Sequence, residues 1–343
     1  MKYMGSKRWM LGNGLGHLIQ HELKNATRFV DLFSGSASVA HFAATSPGAV
    51  PVIACDIQQF SVVLAGAVIT RTAAFDPEPV WTAWHQRAHQ YLATNRKLTA
   101  AGASIPGLRK GFTQDFVEQV RQRCADDEQP ITNAYGGYYF SRGQALWIDA
   151  LRATLPVDAA QQSVALAALI AAASSCSASP GHTAQPFRPS LGAKEFLYDA
   201  WCRDPLAQTK QTLVALAACH AIKKGAALRQ DANSSTQTLK KGDLVFLDPP
   251  YSGVHYSRFY HVLETIARGN CGPVNGTGRY PPAAERPRSP YSVASEAPSA
   301  IEHLLMGIAI RRSTVPSRHN STRSRTRPSW ASPIPRRFSS REH

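Results

Sequence analysis

The fold is decided by a stretch near the N-terminus, TRFVDLFSGSASVAHFAA at residues 27–44. Its first part, Thr27–Val30, has the β-branched and aromatic residues of a short buried strand, which Asp31 closes. A turn of small residues follows at 34–36, and the pattern from about Ala37 to Ala44 predicts a helix. This order of strand, tight turn and helix is typical of the start of a nucleotide-binding α/β unit.

A second strand follows this helix. Val50–Cys55 is a continuous apolar run closed by Asp56, and a further helix extends to about Arg71. Strands that alternate with helices predict a parallel sheet, and the polar residues fall at the carboxyl ends of the strands, where such sheets bind ligands.

The character of the chain changes in the middle. Strand patterns disappear between residues 76 and 225, and we predict a mainly helical insertion there. Its helices are expected at Val80–Leu98, Phe112–Cys124, Gly143–Leu155, Asp158–Ala173 and Pro205–Lys224. Strand patterns return at Ala226–Gln230 and Leu244–Leu247, and an aromatic helix is predicted at about Ser257–Arg268.

The strongest chemical signal is the motif Asp248-Pro249-Pro250-Tyr251, which follows the buried strand Leu244–Leu247 directly. The amino nitrogen of adenine is a poor nucleophile, because its lone pair is delocalised into the ring. A carboxylate from Asp248 and the backbone carbonyl of Pro249 can accept both amino hydrogens, and Tyr251 can stack on a base that has left the duplex. A strand that simply ends in a turn is the plainer alternative, since Asp and Pro are common turn residues.

With this motif and two segments nearer the N-terminus, the chain resembles the Dam-like DNA adenine-N6 methyltransferases, which use S-adenosyl-L-methionine as methyl donor. The segment KYMGSK at residues 2–7 resembles the opening cofactor motif of that family, and DLFSG at residues 31–35 resembles its glycine loop. The resemblance implies a Rossmann-like methyltransferase sheet in two parts, 1–75 and 226–270, with an inserted DNA target-recognition region at 76–225. It implies cofactor contacts at Tyr3, Lys7, Asp31, Phe33, Gly35, Asp56, Asp231 and Asp248. Among these, Asp56 would bind the ribose hydroxyls and Asp231 would lie near the adenine of the cofactor.

Two segments are candidates for DNA contact. Tyr256, Ser257 and Arg258 lie just past the catalytic motif, and Arg258 can reach a phosphate. Tyr139 and Arg142 lie in an aromatic and basic loop that suits base stacking and phosphate binding. An aromatic loop that packs on its own core is an equally good interpretation of this second segment.

Composition supports a soluble globular protein that binds a polyanion. The 343 residues carry a formal net charge of +15, but residues 271–343 hold 12 Arg and 4 acidic residues, and this segment alone supplies +8. The six cysteines have no metal-ligand spacing, so we predict no metal site. No signal peptide or bilayer-length apolar run is present, so we expect a cytoplasmic protein without a membrane partner. The expected partners are double-stranded DNA and, if the protein serves restriction, a cognate restriction endonuclease.

The chain departs from the family pattern in two places. Ala37 stands where the glycine loop of the family has a further Gly. No strand pattern follows Arg268, so we expect the C-terminal strands of the sheet to be missing and residues 271–343 to form a disordered, truncated or frame-shifted tail, in which only Ala300–Ile310 has a helical pattern. Two alternatives therefore stay open: a methyltransferase for RNA or a protein amide, and an inactive remnant that only binds nucleic acid.

Overall fold

The computed structural model describes residues 7–95, 97, 105, 107–190, 192–250 and 255–313. At the centre of this part of the chain lies one sheet of four parallel strands in the order β3-β2-β1-β4. Its strands are β1 (Arg28–Asp31), β2 (Val52–Asp56), β3 (Ala226–Arg229) and β4 (Asp243–Phe246). The predicted strands and their parallel arrangement are therefore confirmed, and no fifth strand of this sheet occurs within the described residues.

Helices fill the connections. Before and between the first strands lie α1 (Arg8–Gly12), α2 (Leu15–Leu23) and α3 (Ser38–Thr45), and α4 (Gln59–Ile69) follows β2. The helical region contains α5 (Pro77–Thr94), α6 (Gln114–Ala125), α7 (Pro130–Tyr135), α8 (Arg142–Ala153), α9 (Ala159–Cys176), α10 (Lys194–Trp201) and α11 (Pro205–Ala218). After β3 come α12 (Ala232–Ser235), α13 (Tyr256–Phe259), α14 (His261–Arg268) and α15 (Ala297–Ser313).

The five predicted helices of the middle region are present with shifted ends, and local capping explains where they begin. Asp76 caps α5 by accepting from the backbone N–H of Glu78, and Pro77 suits the first helical turn. Ser141 and Gln144 form a reciprocal capping box at the start of α8. The aromatic helix predicted at 257–268 is instead two helices, because the backbone of Tyr260 leaves the helical conformation. The short helices α7 and α10 were not predicted.

The two faces of the sheet are covered by different parts of the chain. On one face, Phe29 and Val52 share a core with α3, α4, α5, α8, α9 and α14. On the other face, Val30, Leu32 and Cys55 pack against Tyr291, Ala300 and Leu304. Successive side chains of a strand point to opposite faces, so β1 serves both cores.

The second of these cores corrects the prediction for the C-terminal segment. The helix α15 covers Ala300–Ile310, the one stretch with a helical pattern, but the rest of 271–313 was expected to be disordered. The segment is packed instead, with Tyr291, Ala300 and Leu304 buried. Composition misled the prediction, because a few apolar residues among many Pro and Arg suffice to cover one sheet face. Residues 314–343 lie outside the described residues.

The helical region 76–225 divides between two cores. Trp84, Leu146 and Leu169 belong to the main core with the sheet. Phe112, Val117, Tyr198 and Trp201 form a smaller core of their own, built from α6, α10 and the loop before α6. Part of the helical region is therefore a compact unit that is distinct from the sheet.

Among the described residues, one helix has the length and mean hydropathy of a membrane span. This helix, α9, is 61% buried inside the protein, which is the pattern of a core helix in a soluble protein. Its apolar composition is therefore weak evidence for a membrane span.

Candidate active site

A single cleft lies at the carboxyl ends of the four strands, with about 920 Å³ of empty volume including its open mouth. Each strand brings a carboxylate to it: Asp31 and Asp56 are the last residues of β1 and β2, and Asp231 and Asp248 follow β3 and β4 by two residues. Because the strands are parallel, their carboxyl ends meet at one edge, and this topology brings together residues that are far apart in the sequence.

The glycine loop connects the first two carboxylates. The backbone N–H of Gly35 donates to Oδ2 of Asp56 at 2.9 Å, and the N–H of Gln58 donates to Oδ1 of the same side chain at 2.9 Å. Gly35 has a φ of +48°, in the left-handed region that glycine adopts without a steric penalty. These contacts place Asp56 at the floor of the cleft with its position fixed from both sides.

Ala37 adopts a backbone conformation that favours glycine. Its φ is +60° and its side chain is fully buried at the N-terminus of α3. The cleft is lined by its neighbours Ser36 and Ser38 but not by Ala37 itself. The methyl group therefore strains the loop without entering the cleft, and the departure from the family pattern does not block the site.

Burial perturbs the ionisation of two of the carboxylates. Burial, reinforced by the negative charges of Asp56 and Asp248, raises the pKa of Asp31 to about 7, although the N–H of Phe33 opposes this shift. Burial also raises the pKa of Asp56 to about 6, against the stabilising hydrogen bonds from Gln58 and Gly35. A cleft with several carboxylates and few cations favours a ligand that brings positive charge and hydroxyl groups.

The catalytic motif opens into the same cleft. Oδ2 of Asp248 forms an ion pair of 2.8 Å with Nζ of Lys7, and Pro249 and Pro250 line the wall beside it. Lys7 thus lies where the sequence predicted, and it holds the carboxylate of the motif. Tyr3 and Tyr251, the remaining predicted residues of these motifs, lie outside the described residues.

The other predicted cofactor contacts also line the cleft. Phe33 packs edge-on against Tyr291, with ring centroids 4.9 Å apart. Asp231 accepts hydrogen bonds from the backbone N–H groups of Asn233 and Ser234, so it caps α12 while it borders the cleft.

The two predicted DNA-contact segments have different outcomes. Tyr256 and Ser257 line the cleft, and Arg258 is exposed beside them. Tyr139 was predicted wrongly: its side chain is fully buried, and its hydroxyl donates to the carbonyls of Thr183 and Gly278. These partners lie far along the chain, so no local pattern revealed them. Arg142 pairs with Asp127 at 3.2 Å.

Sequence analysis missed two parts of the site. Pro287, Ser289 and Tyr291 form a wall of the cleft, although they belong to the segment expected to be disordered. Glu264 is buried behind Asp56, and its Oε2 accepts from the backbone N–H of Phe60 at 3.1 Å. A single Glu in the apolar run of α14 was the available signal. Burial raises the pKa of Glu264.

No group of three or more His, Cys, Asp or Glu residues in the described ranges has the arrangement of a metal site. The cleft combines carboxylates, a glycine loop and a proline motif. These elements lie at the carboxyl edge of a parallel α/β sheet, where sheets of this class bind their ligands.

Comparisons with known proteins give the family. The family model of the D12 class N6 adenine-specific DNA methyltransferases matches residues 3–277, and the chain belongs to this family. The usual methyl donor of methyltransferases is S-adenosyl-L-methionine.

Two curated relatives are similar to parts of the chain. The modification methylase LlaI of Lactococcus lactis subsp. lactis is 25% identical over 326 residues, which cover 90% of this chain and 44% of that protein. The type II methyltransferase M.FokI of Planomicrobium okeanokoites is 37% identical over 76 residues, which cover 22% of this chain and 11% of that protein. The chain thus spans less than half the length of these relatives. No solved structure matches.

Proposed function

We propose that this protein transfers a methyl group from S-adenosyl-L-methionine to the exocyclic amino group of adenine in double-stranded DNA. The observation that carries the proposal is that Asp248-Pro249-Pro250 opens into the same cleft as Asp31, Gly35 and Asp56. A ligand bound over the glycine loop and a base presented to the motif would then meet in one enclosed space. Such positioning of two reactants contributes a large part of a transfer rate.

The cleft fits the donor. Asp56 is suited to accept hydrogen bonds from two ribose hydroxyls, since its carboxylate borders the cleft while the Gly35 and Gln58 amides fix its position. Asp31 offers negative charge to the amino group of the methionine part, Phe33 offers an apolar face, and Asp231 borders the region where the adenine would lie. The donor, when bound, supplies an electrophilic methyl group.

The motif fits the acceptor. The carboxylate of Asp248 and the carbonyl of Pro249 would accept the two hydrogens of the adenine amino group, which frees the nitrogen lone pair for attack on the methyl carbon. Lys7 holds the Asp248 carboxylate through their 2.8 Å ion pair. Pro249 and Pro250 have no backbone N–H that would compete for these acceptors. Tyr251 would stack on the extruded base, and Tyr3 would contact the donor.

Target recognition belongs to the helical region in this proposal. The compact unit around Phe112, Tyr198 and Trp201 has its own core, separate from the sheet, and would contact the duplex. One relative is named a modification methylase and the other a type II methyltransferase, and these names favour a role in restriction–modification in the cytoplasm, with an endonuclease of the same specificity as partner.

The test uses the purified chain, methyl-labelled S-adenosylmethionine and three acceptors: duplex DNA, RNA and a protein mixture. Digestion of the DNA to nucleosides should show label only in N6-methyldeoxyadenosine, and Asp248→Ala should remove it. Label in RNA or protein would contradict the proposal. Binding of DNA without binding of the donor would identify an inactive nucleic-acid-binding protein instead.

A further inference from the structure

Two guanidinium groups flank one tyrosine at the mouth of the cleft. Cζ of Arg258 lies 4.8 Å from the ring centroid of Tyr280, and Cζ of Arg286 lies 5.7 Å from it. The ring is fixed at both ends. Its hydroxyl donates to the carbonyl of Ala184, and its backbone exchanges two hydrogen bonds with Asn275. Arg258, Tyr280 and Arg286 are called the Arg–Tyr–Arg cluster below.

Within the described residues, no ion pair neutralises the positive charge of this cluster. Neither Arg258 nor Arg286 forms an ion pair with any carboxylate of the described residues. Glu285, the adjacent carboxylate in sequence, instead accepts from the backbone N–H of Gly272 at 2.8 Å. The Nε of Arg286 is buried and has no hydrogen-bond partner within the described part of the chain. A buried N–H without a partner is unfavourable, and an incoming anion that accepts from it would offset this cost.

The geometry leaves donors available for a ligand. A guanidinium that stacks on an aromatic face uses its flat side, so its in-plane N–H groups still point outward. Burial lowers the pKa of His261 to about 4, and the positive charges of Arg286 and Arg258 add to this effect. That side chain is therefore neutral near pH 7 and adds no positive charge to the cluster. An oxyanion of phosphate type fits planar, forked donors of this kind.

The position of the cluster relates it to the reaction. Arg258 follows Ser257 directly, and Arg286 precedes Pro287 directly, and both neighbours line the cleft. An adenine that enters the cleft to reach Asp248 must bring its own sugar and phosphates to the mouth. The cluster therefore lies where a nucleic-acid strand would present negative charge.

We propose that Arg258 and Arg286, spaced by Tyr280, bind the phosphate backbone of the DNA strand that carries the target adenine. This inference rests on the proposed function and deepens it, since it assigns a substrate-positioning role to the segment 279–288 that the sequence did not predict. Arg258 alone was a sequence candidate for phosphate contact. Tyr280 and Arg286 complete the site.

The experiment measures how DNA affinity depends on salt in the full-length chain. The probe is a short labelled duplex with one mismatched adenine, titrated between about 50 and about 200 mM salt, because each lost phosphate contact lowers the slope of log K against log salt by about 1. Arg286→Ala and, separately, Arg258→Ala should each make this negative slope less steep by about 1. The matched control is Lys241→Ala, an exposed basic residue before β4 at the opposite edge of the sheet, which should leave the slope unchanged.

The outcomes separate the two proposals. If the unmodified chain does not bind the duplex, the proposed function fails. If it binds and both arginine variants keep its slope, or if Lys241→Ala lowers the slope equally, the Arg–Tyr–Arg cluster is not a phosphate site. Should Arg286→Ala fail to fold, the exposed Arg258 still decides the question. Titration with S-adenosylhomocysteine checks that each variant retains the cleft.

Discussion

Replacement of Asp31 by Asn should stabilise the protein, and more so at high pH. Asp31 is 1% exposed, and burial raises its pKa from an ordinary value of 3.8 to about 7. Below pH 3.8 the carboxyl is neutral in both the folded and the unfolded chain, so it has no effect on the free energy of unfolding. As the pH rises from 3.8 to 7, the unfolded chain ionises first, and the folded state loses stability relative to it. Above pH 7 both states are ionised and the loss is constant.

The magnitude follows from these values. One pKa unit corresponds to about 1.4 kcal/mol, so the full penalty is on the order of 4 kcal/mol. Part of it already applies at pH 5, and the increase between pH 5 and pH 8 is about 2–3 kcal/mol by the same linkage. Asn has no charge to bury, and its carbonyl oxygen can still accept from the N–H of Phe33, which lies 3.2 Å from Oδ1 of Asp31.

The assay is urea unfolding of the unmodified chain and of Asp31→Asn at pH 5 and pH 8. The advantage of the variant in unfolding free energy should grow by about 2–3 kcal/mol between these conditions, since carboxylates that do not interact with Asp31 titrate alike in both chains and cancel in the difference. An advantage that does not change with pH, or a variant that is less stable at pH 8, would refute the reasoning. The variant should also bind S-adenosylmethionine more weakly, because the cleft then offers less negative charge to a cationic ligand.

Three further outcomes are expected. Asp56→Ala should weaken binding of S-adenosylhomocysteine about 100-fold by calorimetry, since two charge-assisted hydrogen bonds are worth about 1.5 kcal/mol or more each. A loss of affinity of tenfold or less in this variant would argue against a ribose contact. The affinity of the unmodified chain should fall below about pH 6, where Asp56 becomes protonated. Ala37→Gly should leave that affinity unchanged within about twofold, because the methyl group does not line the cleft; a gain above tenfold would mean that the methyl crowds the ligand. Tyr139→Phe should lower the unfolding free energy by about 1–3 kcal/mol, since two buried carbonyl groups lose their donor. The salt dependence of DNA binding should stay unchanged. A weaker dependence of log K on log salt in this variant would restore Tyr139 as a DNA contact.

The sequence predicted the catalytic edge of the sheet because that edge is encoded locally. Three of the strands are predicted from short apolar runs, which Asp31, Asp56 and Asp248 follow directly. Parallel pairing then brings their carboxyl ends together without further information. The same local logic gave the helices of the middle region, whose capping residues Asp76 and Ser141 mark where they begin.

The rest of the site depends on contacts between distant segments. Tyr139 is buried because Thr183 and Gly278 supply acceptors for its hydroxyl, and neither is near it in the sequence. Tyr291 enters the wall of the cleft because α15 anchors its segment to the sheet through Ala300 and Leu304. Amino-acid composition averages over such sparse anchors, so a Pro- and Arg-rich segment was predicted to be disordered although its described part is packed.

The most direct test of the account is a map of methylated adenines across the genome of a methylation-deficient bacterium that expresses this chain. The account predicts N6-methyladenine in one short sequence context with the unmodified chain and none with Asp248→Ala at equal expression. Binding of S-adenosylhomocysteine to the purified variant would show that its cleft is folded. A soluble unmodified chain that binds the donor but leaves every adenine unmethylated, or methylation that persists in Asp248→Ala, would contradict the assignment of this cleft as an adenine methyltransferase site.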